Sequence, residues 1–200
     1  MEGPLGIVAG LGELPVAIAS HAVASGRGVY VLRLKGFEEP ALAEFPGDTM
    51  GVGEIGGIMS RLKSAGCKDV VFAGIVKRPD FKDLHLDMRG TLLLPKVISE
   101  ARKGDDALLR VLVGEFEKHG FNVIGSEEAN AALLAPEGLM AGPEPTEENL
   151  HDIAHAARVA AATGALDIGQ GCVVCNGLVL AVEAQEGTDE MLRRCAGLPA

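Results

Sequence analysis

The chain has 200 residues, 48% of them hydrophobic and 23% charged, a globular composition that excludes a disordered, collagen-like or coiled-coil chain. Its net charge of −10 lacks the basic surface that general nucleic-acid binding requires, so we expect no nucleic-acid partner. Four dispersed cysteines, no basic leader and no apolar run near the ~20 residues of a membrane span predict a reducing, cytoplasmic location.

The first part of the chain alternates strand and helix patterns. A strand over 5–9, a glycine turn and a helix over 14–24 lead to a strand over 29–34, which makes a βαβ unit with parallel pairing. The following patterns are a helix over 55–65, a strand over 69–73, helices over 91–102 and 105–119, and a strand over 121–124. This order predicts an α/β fold whose N-terminal domain is Rossmann-like, with a mostly parallel sheet.

Composition changes at residue 136. The segment 136–146 is rich in proline and glycine, which predicts a linker between an N-terminal domain over 1–135 and a smaller α/β domain over 147–200. The second domain should hold a helix over 147–163, a hairpin turning at Asn176-Gly177 and a last helix capped by Thr188. One helix and one hairpin are marginal by themselves, so we expect this domain to be partial and covered by other protein.

The glycine turn after the first strand has the form Gly10-Leu11-Gly12-x-x-Pro15. Backbone amides in such a turn, together with a helix N-terminus, can bind a phosphate. Proline replaces the third glycine, and cations stand where an acidic residue would grip a ribose, which disfavours an NAD enzyme. An NADP-linked oxidoreductase stays open as a weaker alternative, as does a turn without a ligand.

The loop after the strand over 69–73 carries Lys77 and Arg78, which could clamp phosphates at the carboxyl edge of the sheet. Asp87 and Arg89 add an acid and a base nearby in the chain. The alternative for Lys77 and Arg78 is a solvated basic loop. The alternative for Asp87 and Arg89 is a surface ion pair that contributes little to stability.

An acidic segment follows the hairpin. Glu183, Glu186 and Asp189 gather at a strand end, and such carboxylates could bind Mg²⁺ together with substrate phosphates. Capping of the last helix by Thr188 and Asp189 is the competing explanation. The glycine turn that contains Gln170 and Gly171 either approaches a ligand or only reverses the chain.

Two motifs are judged to be structural. The cysteines of Cys172-x-x-Cys175 point to opposite faces of a strand, so they make a poor chelate. His151 and His155 have the spacing of a zinc-binding helix, but no third ligand is evident.

Six ordered segments over nearly the whole chain resemble the UDP-2,3-diacylglucosamine pyrophosphatases of the LpxI type. The segments are Gly6 to Pro15, Gly74 to Phe81, Gly104 to Leu109, Leu133 to Gly138, Asp167 to Gly171 and Val182 to Met191. The resemblance implies hydrolysis of UDP-2,3-diacylglucosamine to 2,3-diacylglucosamine 1-phosphate (lipid X) and UMP, for lipid A, with Mg²⁺ or another divalent metal. It also implies a Rossmann-like domain and a distinct C-terminal domain that hold the lipid between them.

Within that expectation we predict that Glu186 and Asp189 are catalytic and that Glu183, Glu186 and Asp189 bind the metal. The implied substrate-binding residues are Gly10, Leu11, Gly12, Lys77, Arg78, Asp87, Arg89, Asp105, Asp106, Gln170, Gly171 and Thr188. Peripheral contact with the inner membrane and a homodimer are further expectations. Family members continue beyond the position of Ala200, so the second hypothesis is a fragment that binds the lipid or nucleotide without hydrolysing it.

Overall fold

The computed structural model describes residues 3–77, 84–101 and 105–198, without the side chains of Asp105 and Asp106. It divides into two compact units, Met1–Ala135 and Pro136–Ala200. The elements of the N-terminal unit are β1 (Leu5–Ala9), α1 (Glu13–Ala24), β2 (Val29–Leu34), β3 (Gly47–Met50), α2 (Ile55–Ser64), β4 (Asp69–Ala73), α3 (Met88–Ala101), α4 (Asp105–Lys118), β5 (Asn122–Val123) and α5 (Ser126–Ala129). Short 3-10 turns lie at Pro40–Glu44 and Ala131–Leu133.

The five strands of the N-terminal unit form a parallel sheet in the order β3-β2-β1-β4-β5. This confirms the predicted α/β fold with a Rossmann-like N-terminal part. Strand β3 was not predicted, because its sequence Gly-Asp-Thr-Met has no apolar run. This strand lies at the sheet edge and pairs with β2 alone, and the Tyr30 hydroxyl of β2 donates to Asp48 Oδ2 at 2.6 Å.

Helices cover the two faces of the sheet. Ile18 and Ala19 of α1 pack with one apolar cluster, whereas Ile58 and Leu62 of α2 pack with the other, and all four are buried. Every residue of β1 is buried, as expected for the central strand of a doubly covered parallel sheet.

Helix α3 begins three residues before the predicted position, at Met88. The backbone amide of Gly90 donates to Asp87 Oδ1 at 2.7 Å, so the Asp87 carboxylate caps this helix. The apolar periodicity used in the prediction starts only after the polar first turn, which explains the difference.

The C-terminal unit contains α6 (Glu147–Ala165), β6 (Cys172–Cys175), β7 (Leu178–Val182) and α7 (Thr188–Ala196). Thr146 and Asn149 form a reciprocal capping box at the start of α6. Strands β6 and β7 pair antiparallel, and both Asn176 (φ 50°) and Gly177 (φ 76°) adopt the positive φ that a tight hairpin turn needs.

The predicted cap of α7 was wrong. Gly187, with φ 83°, occupies the cap position, and Thr188 is the first helical residue. The Thr188 hydroxyl instead donates to Glu183 Oε1 at 3.0 Å, because that buried carboxylate needs a hydrogen-bond donor.

None of the helices within the described residues is long and apolar enough to cross a membrane.

Candidate functional site

Two glycine turns meet at the carboxyl edge of the parallel sheet, one after β1 and one after β4. The amide of Leu11 donates to the Ile75 carbonyl oxygen at 3.0 Å, and the Ile75 amide donates back at 2.8 Å. A Cβ on Gly10 would lie 2.5 Å from the Ile75 oxygen. A Cβ on Gly74 would lie 2.8 Å from the Leu11 oxygen. Glycine is therefore required in both turns for the two chains to approach so closely.

The three amides of the predicted phosphate cradle already have acceptors within the chain. Gly10 donates to the Ala73 carbonyl at 2.9 Å, Leu11 donates to Ile75, and Gly12 donates to Glu39 Oε2 at 3.0 Å. Only the last acceptor is a side chain. A carboxylate thus lies at the start of α1, where the sequence predicted a phosphate, and a phosphate bound to Gly12 would replace it.

Sequence reasoning missed Glu39. It comes 27 positions after Gly12, beyond the end of β2, in a segment without regular structure. The one available signal is that dinucleotide-binding folds have an acidic residue after the second strand, but that residue is expected nearer the end of the strand than Glu39 lies.

The cationic loop after β4 is described as far as Lys77, whose side chain is exposed. Arg78 lies outside the described residues. The side chains of Asp105 and Asp106 are likewise outside the description, and their backbone forms the first turn of α4. The predicted substrate-binding roles of these four residues stay predictions.

Asp87 and Arg89 both contact the chain itself. Asp87 Oδ2 accepts from the Gly57 amide in α2 at 2.8 Å, while Oδ1 accepts from Gly90 in α3. The Arg89 guanidinium pairs with Glu115 of α4 at 3.2 Å and also contacts His119. The two residues therefore tie α2, α3 and α4 together, in addition to any contact with substrate.

An apolar cavity of about 430 Å³ lies between the sheet and helices α2, α3 and α4. Its described lining consists of aliphatic residues, phenylalanines and glycines only. The glycine turn at Gly74 and the adjoining Val76 belong to its rim, so the cavity opens beside the carboxyl edge of the sheet. No motif in the sequence marked this cavity, because its described walls come from six separate segments.

The glycine turn of the C-terminal unit closes around Glu183. This carboxylate is buried and accepts from the Gln170 amide at 3.2 Å, and a Cβ on Gly171 would lie 2.9 Å from its Oε2 atom. Gly171 also accepts from the Glu183 amide at 2.9 Å. The structure brings Gln170, Gly171 and Thr188 together around Glu183, a meeting that the sequence did not predict.

The other two predicted carboxylates lie apart from that centre. The Glu186 carboxylate accepts a hydrogen bond from Arg194 at 3.0 Å. Hydrogen bonds that this carboxylate accepts from its own backbone amide and from Arg194 lower its pKa. Asp189 is exposed in the first turn of α7, where the helix dipole favours a carboxylate.

The three carboxylates predicted to bind a divalent metal are those of Glu183, Glu186 and Asp189. Among the residues that the structure describes, no three His, Cys, Asp or Glu side chains are arranged to hold one. Glu183 is occupied by two donors and Glu186 by an arginine, so the three carboxylates do not form a metal site within this unit. The Mg²⁺ requirement stays a prediction.

The two motifs judged to be structural lie on α6 and the hairpin. Cys172 and Cys175 are at opposite ends of β6 and both are free thiols. Between His151 and His155, Asp152 Oδ1 accepts from the Gly177 amide at 2.8 Å and so joins α6 to the hairpin turn.

These features define a class of protein: a two-unit α/β protein whose Rossmann-like sheet has paired glycine turns and an apolar cavity at its carboxyl edge. Residues 4–133 match the model of the LpxI N-terminal domain, and residues 136–200 match that of the LpxI C-terminal domain. The chain is 53% identical over 195 residues to the UDP-2,3-diacylglucosamine pyrophosphatase LpxI of Caulobacter vibrioides. The aligned region covers 98% of this chain and 70% of that protein. The chain belongs to the LpxI family.

Proposed function

We propose that the chain hydrolyses the diphosphate bond of UDP-2,3-diacylglucosamine to 2,3-diacylglucosamine 1-phosphate and UMP, in lipid A biosynthesis. The observation that carries the proposal is its 53% identity, over 98% of its length, to a protein whose name states this substrate and a pyrophosphatase activity. In such a reaction the oxygen of water bonds to one phosphorus while the bridging P–O bond breaks, and the bridging oxygen leaves with the other phosphate.

The N-terminal unit offers groups that suit a diphosphate. The Gly12 amide already holds the Glu39 carboxylate at 3.0 Å, which supports an anion site at this turn. Lys77 lies exposed on the loop that follows the neighbouring turn, and a lysine can neutralise phosphate charge. Exchange of the internal carboxylate for a substrate phosphate would place the diphosphate at the carboxyl edge of the sheet.

In the C-terminal unit we assign the catalytic carboxylate to Asp189, with Glu186 as the second candidate. Glu183 is buried under two donors, so it supports the turn at Gln170 from within. Glu186 would first have to leave Arg194, whereas Asp189 is exposed. Mg²⁺, if it is required, would neutralise charge on the diphosphate.

The test is release of UMP from UDP-2,3-diacylglucosamine by the purified chain, with and without Mg²⁺. Asp189→Ala should lower turnover by about a hundredfold or more, the usual scale for loss of an acid–base group, with an unchanged circular dichroism spectrum. Glu190→Ala is the matched control, because Glu190 lies next to Asp189 on α7 and contacts Arg193. Equal turnover by both variants and the unmodified chain would exclude the role of Asp189.

Binding of the substrate without release of UMP by the unmodified chain would favour the second hypothesis, a binding protein of this family. The homodimer, the cytoplasmic location and peripheral contact with the inner membrane stay predictions.

A further inference from the structure

Glu39 lies between β2 and the 3-10 turn Pro40–Glu44, and its backbone is held there by that turn. The Leu42 amide donates to the Glu39 carbonyl oxygen at 3.0 Å, so Glu39 occupies the cap position of the turn. Leu42 is fully buried in the core of the N-terminal unit. The side chain of Glu39 therefore extends from a fixed point beside the carboxyl edge of the sheet.

Arg33 of β2 fixes the same turn from the sheet. Its Nη2 atom donates to the carbonyl oxygens of Leu42 at 2.6 Å and Phe45 at 2.5 Å, and its Nε atom donates to Leu42 at 3.1 Å. The turn that carries Glu39 is thus attached to β2 by a charged side chain as well as by a buried leucine. Such support gives the Glu39 carboxylate a defined position in the free protein.

The Glu39 carboxylate uses only one of its two oxygens within the protein. Oε2 accepts from the Gly12 amide at 3.0 Å. In the part of the chain that the structure describes, Oε1 has no donor, and the Glu39 side chain is half-buried. The space beside Gly12 is open, because a Cβ built on Gly12 would meet no described atom within 4 Å. A ligand therefore has room to reach both the amide and the carboxylate.

The charge of Glu39 determines which part of a nucleotide it can contact. An ionised carboxylate only accepts hydrogen bonds, so it repels a phosphate and attracts a hydroxyl. In dinucleotide-binding folds the phosphates lie at the glycine turn, while an acidic residue beyond the second strand accepts from a ribose hydroxyl. Here the glycine turn and an acidic residue beyond β2 are in direct contact, which supplies both kinds of group at one place.

We infer that Glu39 is a specificity-determining residue that accepts a hydrogen bond from a ribose hydroxyl of the UDP part of the substrate. The inference rests on the proposed function, since it takes the nucleotide from there. When a phosphate binds the Gly12 amide, the Glu39 side chain rotates away while its backbone stays anchored, so the carboxylate remains beside the ligand. The ribose hydroxyl then replaces the amide as its donor. A diphosphate without these hydroxyls displaces the carboxylate and offers it nothing in return.

The experiment measures dissociation constants of the full chain for UDP and for 2′,3′-dideoxyuridine 5′-diphosphate by isothermal titration calorimetry. Both ligands carry the same base and the same diphosphate, so the ratio of their dissociation constants isolates the two hydroxyls. The variant is Glu39→Ala, and Glu38→Ala is the matched control. Glu38 is the neighbouring acid, is exposed, and accepts from the Gly36 amide at 2.8 Å, so its removal deletes the same charge from the same segment.

We expect the unmodified chain and Glu38→Ala to bind UDP about tenfold or more tightly than the dideoxy ligand, the scale of one hydrogen bond to a charged group. Glu39→Ala should bring the two dissociation constants within about twofold of each other, mainly because the dideoxy ligand no longer has to displace a carboxylate. Glu39→Gln retains a neutral acceptor for Gly12 and for the ribose, so it guards against a folding defect and should give an intermediate ratio.

An unchanged ratio in Glu39→Ala would overturn the inference, as would equal affinity of the unmodified chain for the two ligands. An equal fall of the ratio in Glu38→Ala would also overturn it, because the effect would then come from charge alone. UMP release from the lipid substrate is measured separately on the unmodified chain, so the proposed function can stand when the role of Glu39 fails.

Discussion

Removal of the Asp87 carboxylate should destabilise the N-terminal unit by about 3 kcal/mol. The carboxylate accepts two backbone hydrogen bonds, from Gly57 at 2.8 Å and from Gly90 at 2.7 Å. A hydrogen bond to a charged group contributes about 1.5–3 kcal/mol, and loss of a helix cap alone costs about 1 kcal/mol. Asp87→Ala removes both acceptors and leaves two amides without a partner, so the two losses add to roughly this value.

The free energy of unfolding of the N-terminal unit can be measured by urea titration followed through tyrosine fluorescence. Tyr30, in β2, is the chain's single tyrosine, and the chain has no tryptophan, so the signal reports this unit alone. Asp87→Asn separates the two bonds: its one remaining oxygen can still cap α3, so we expect about half of the loss. Glu117→Ala, on the exposed surface of α4, is the control for loss of one negative charge.

A loss below about 1 kcal/mol for Asp87→Ala would refute the assignment of Asp87 as the link between α2 and α3. A normal stability combined with weaker substrate binding would instead favour the substrate contact predicted from the sequence.

Two further predictions follow from the electrostatics of the N-terminal unit. Hydrogen bonds from Asn122 and Arg27 lower the pKa of Asp69, so its contribution to stability is present above its unfolded pKa of about 4 and is lost as pH falls through the lower folded value. Asp69→Asn should flatten this part of the profile of unfolding free energy against pH, measured by urea titration. An unchanged slope would contradict the assignment. Burial raises the pKa of the Cys67 thiol to about 11, so at pH 8 iodoacetamide should alkylate exposed Cys175 well before Cys67. Peptide mass spectrometry follows the two reactions, and equal rates would show that Cys67 is accessible.

Local patterns in the sequence determined the elements whose cause is itself local. The β1–α1–β2 unit, the start of α6 and the hairpin at Asn176-Gly177 each depend on residues a few positions apart, and each was predicted close to its observed bounds. The family resemblance also depends on ordered local segments, and matches over 4–133 and 136–200 confirm it.

The tertiary structure decided what each polar group of the candidate site contacts. The sequence placed Gly12 in an anion-binding turn, but only the fold brings Glu39 to its amide across 27 positions. It placed Glu183, Glu186 and Asp189 in one short segment, yet the Gln170 amide and the Thr188 hydroxyl donate to the buried Glu183 while Arg194 pairs with Glu186. Spacing along a chain limits which groups can meet, whereas burial determines which of them must find a partner.

The cavity shows the same division on a larger scale. The sequence determined that β1, β2 and β4 are apolar and that α2, α3 and α4 each have an apolar face. Periodicity identifies apolar faces but carries no information on the distance between two packed layers. That distance is decided by contacts between residues far apart in the chain, such as those of Asp87 with Gly57 of α2 and of Gly90 with the loop before α2. With these contacts formed, an apolar cavity of about 430 Å³ lies between the helices and the sheet.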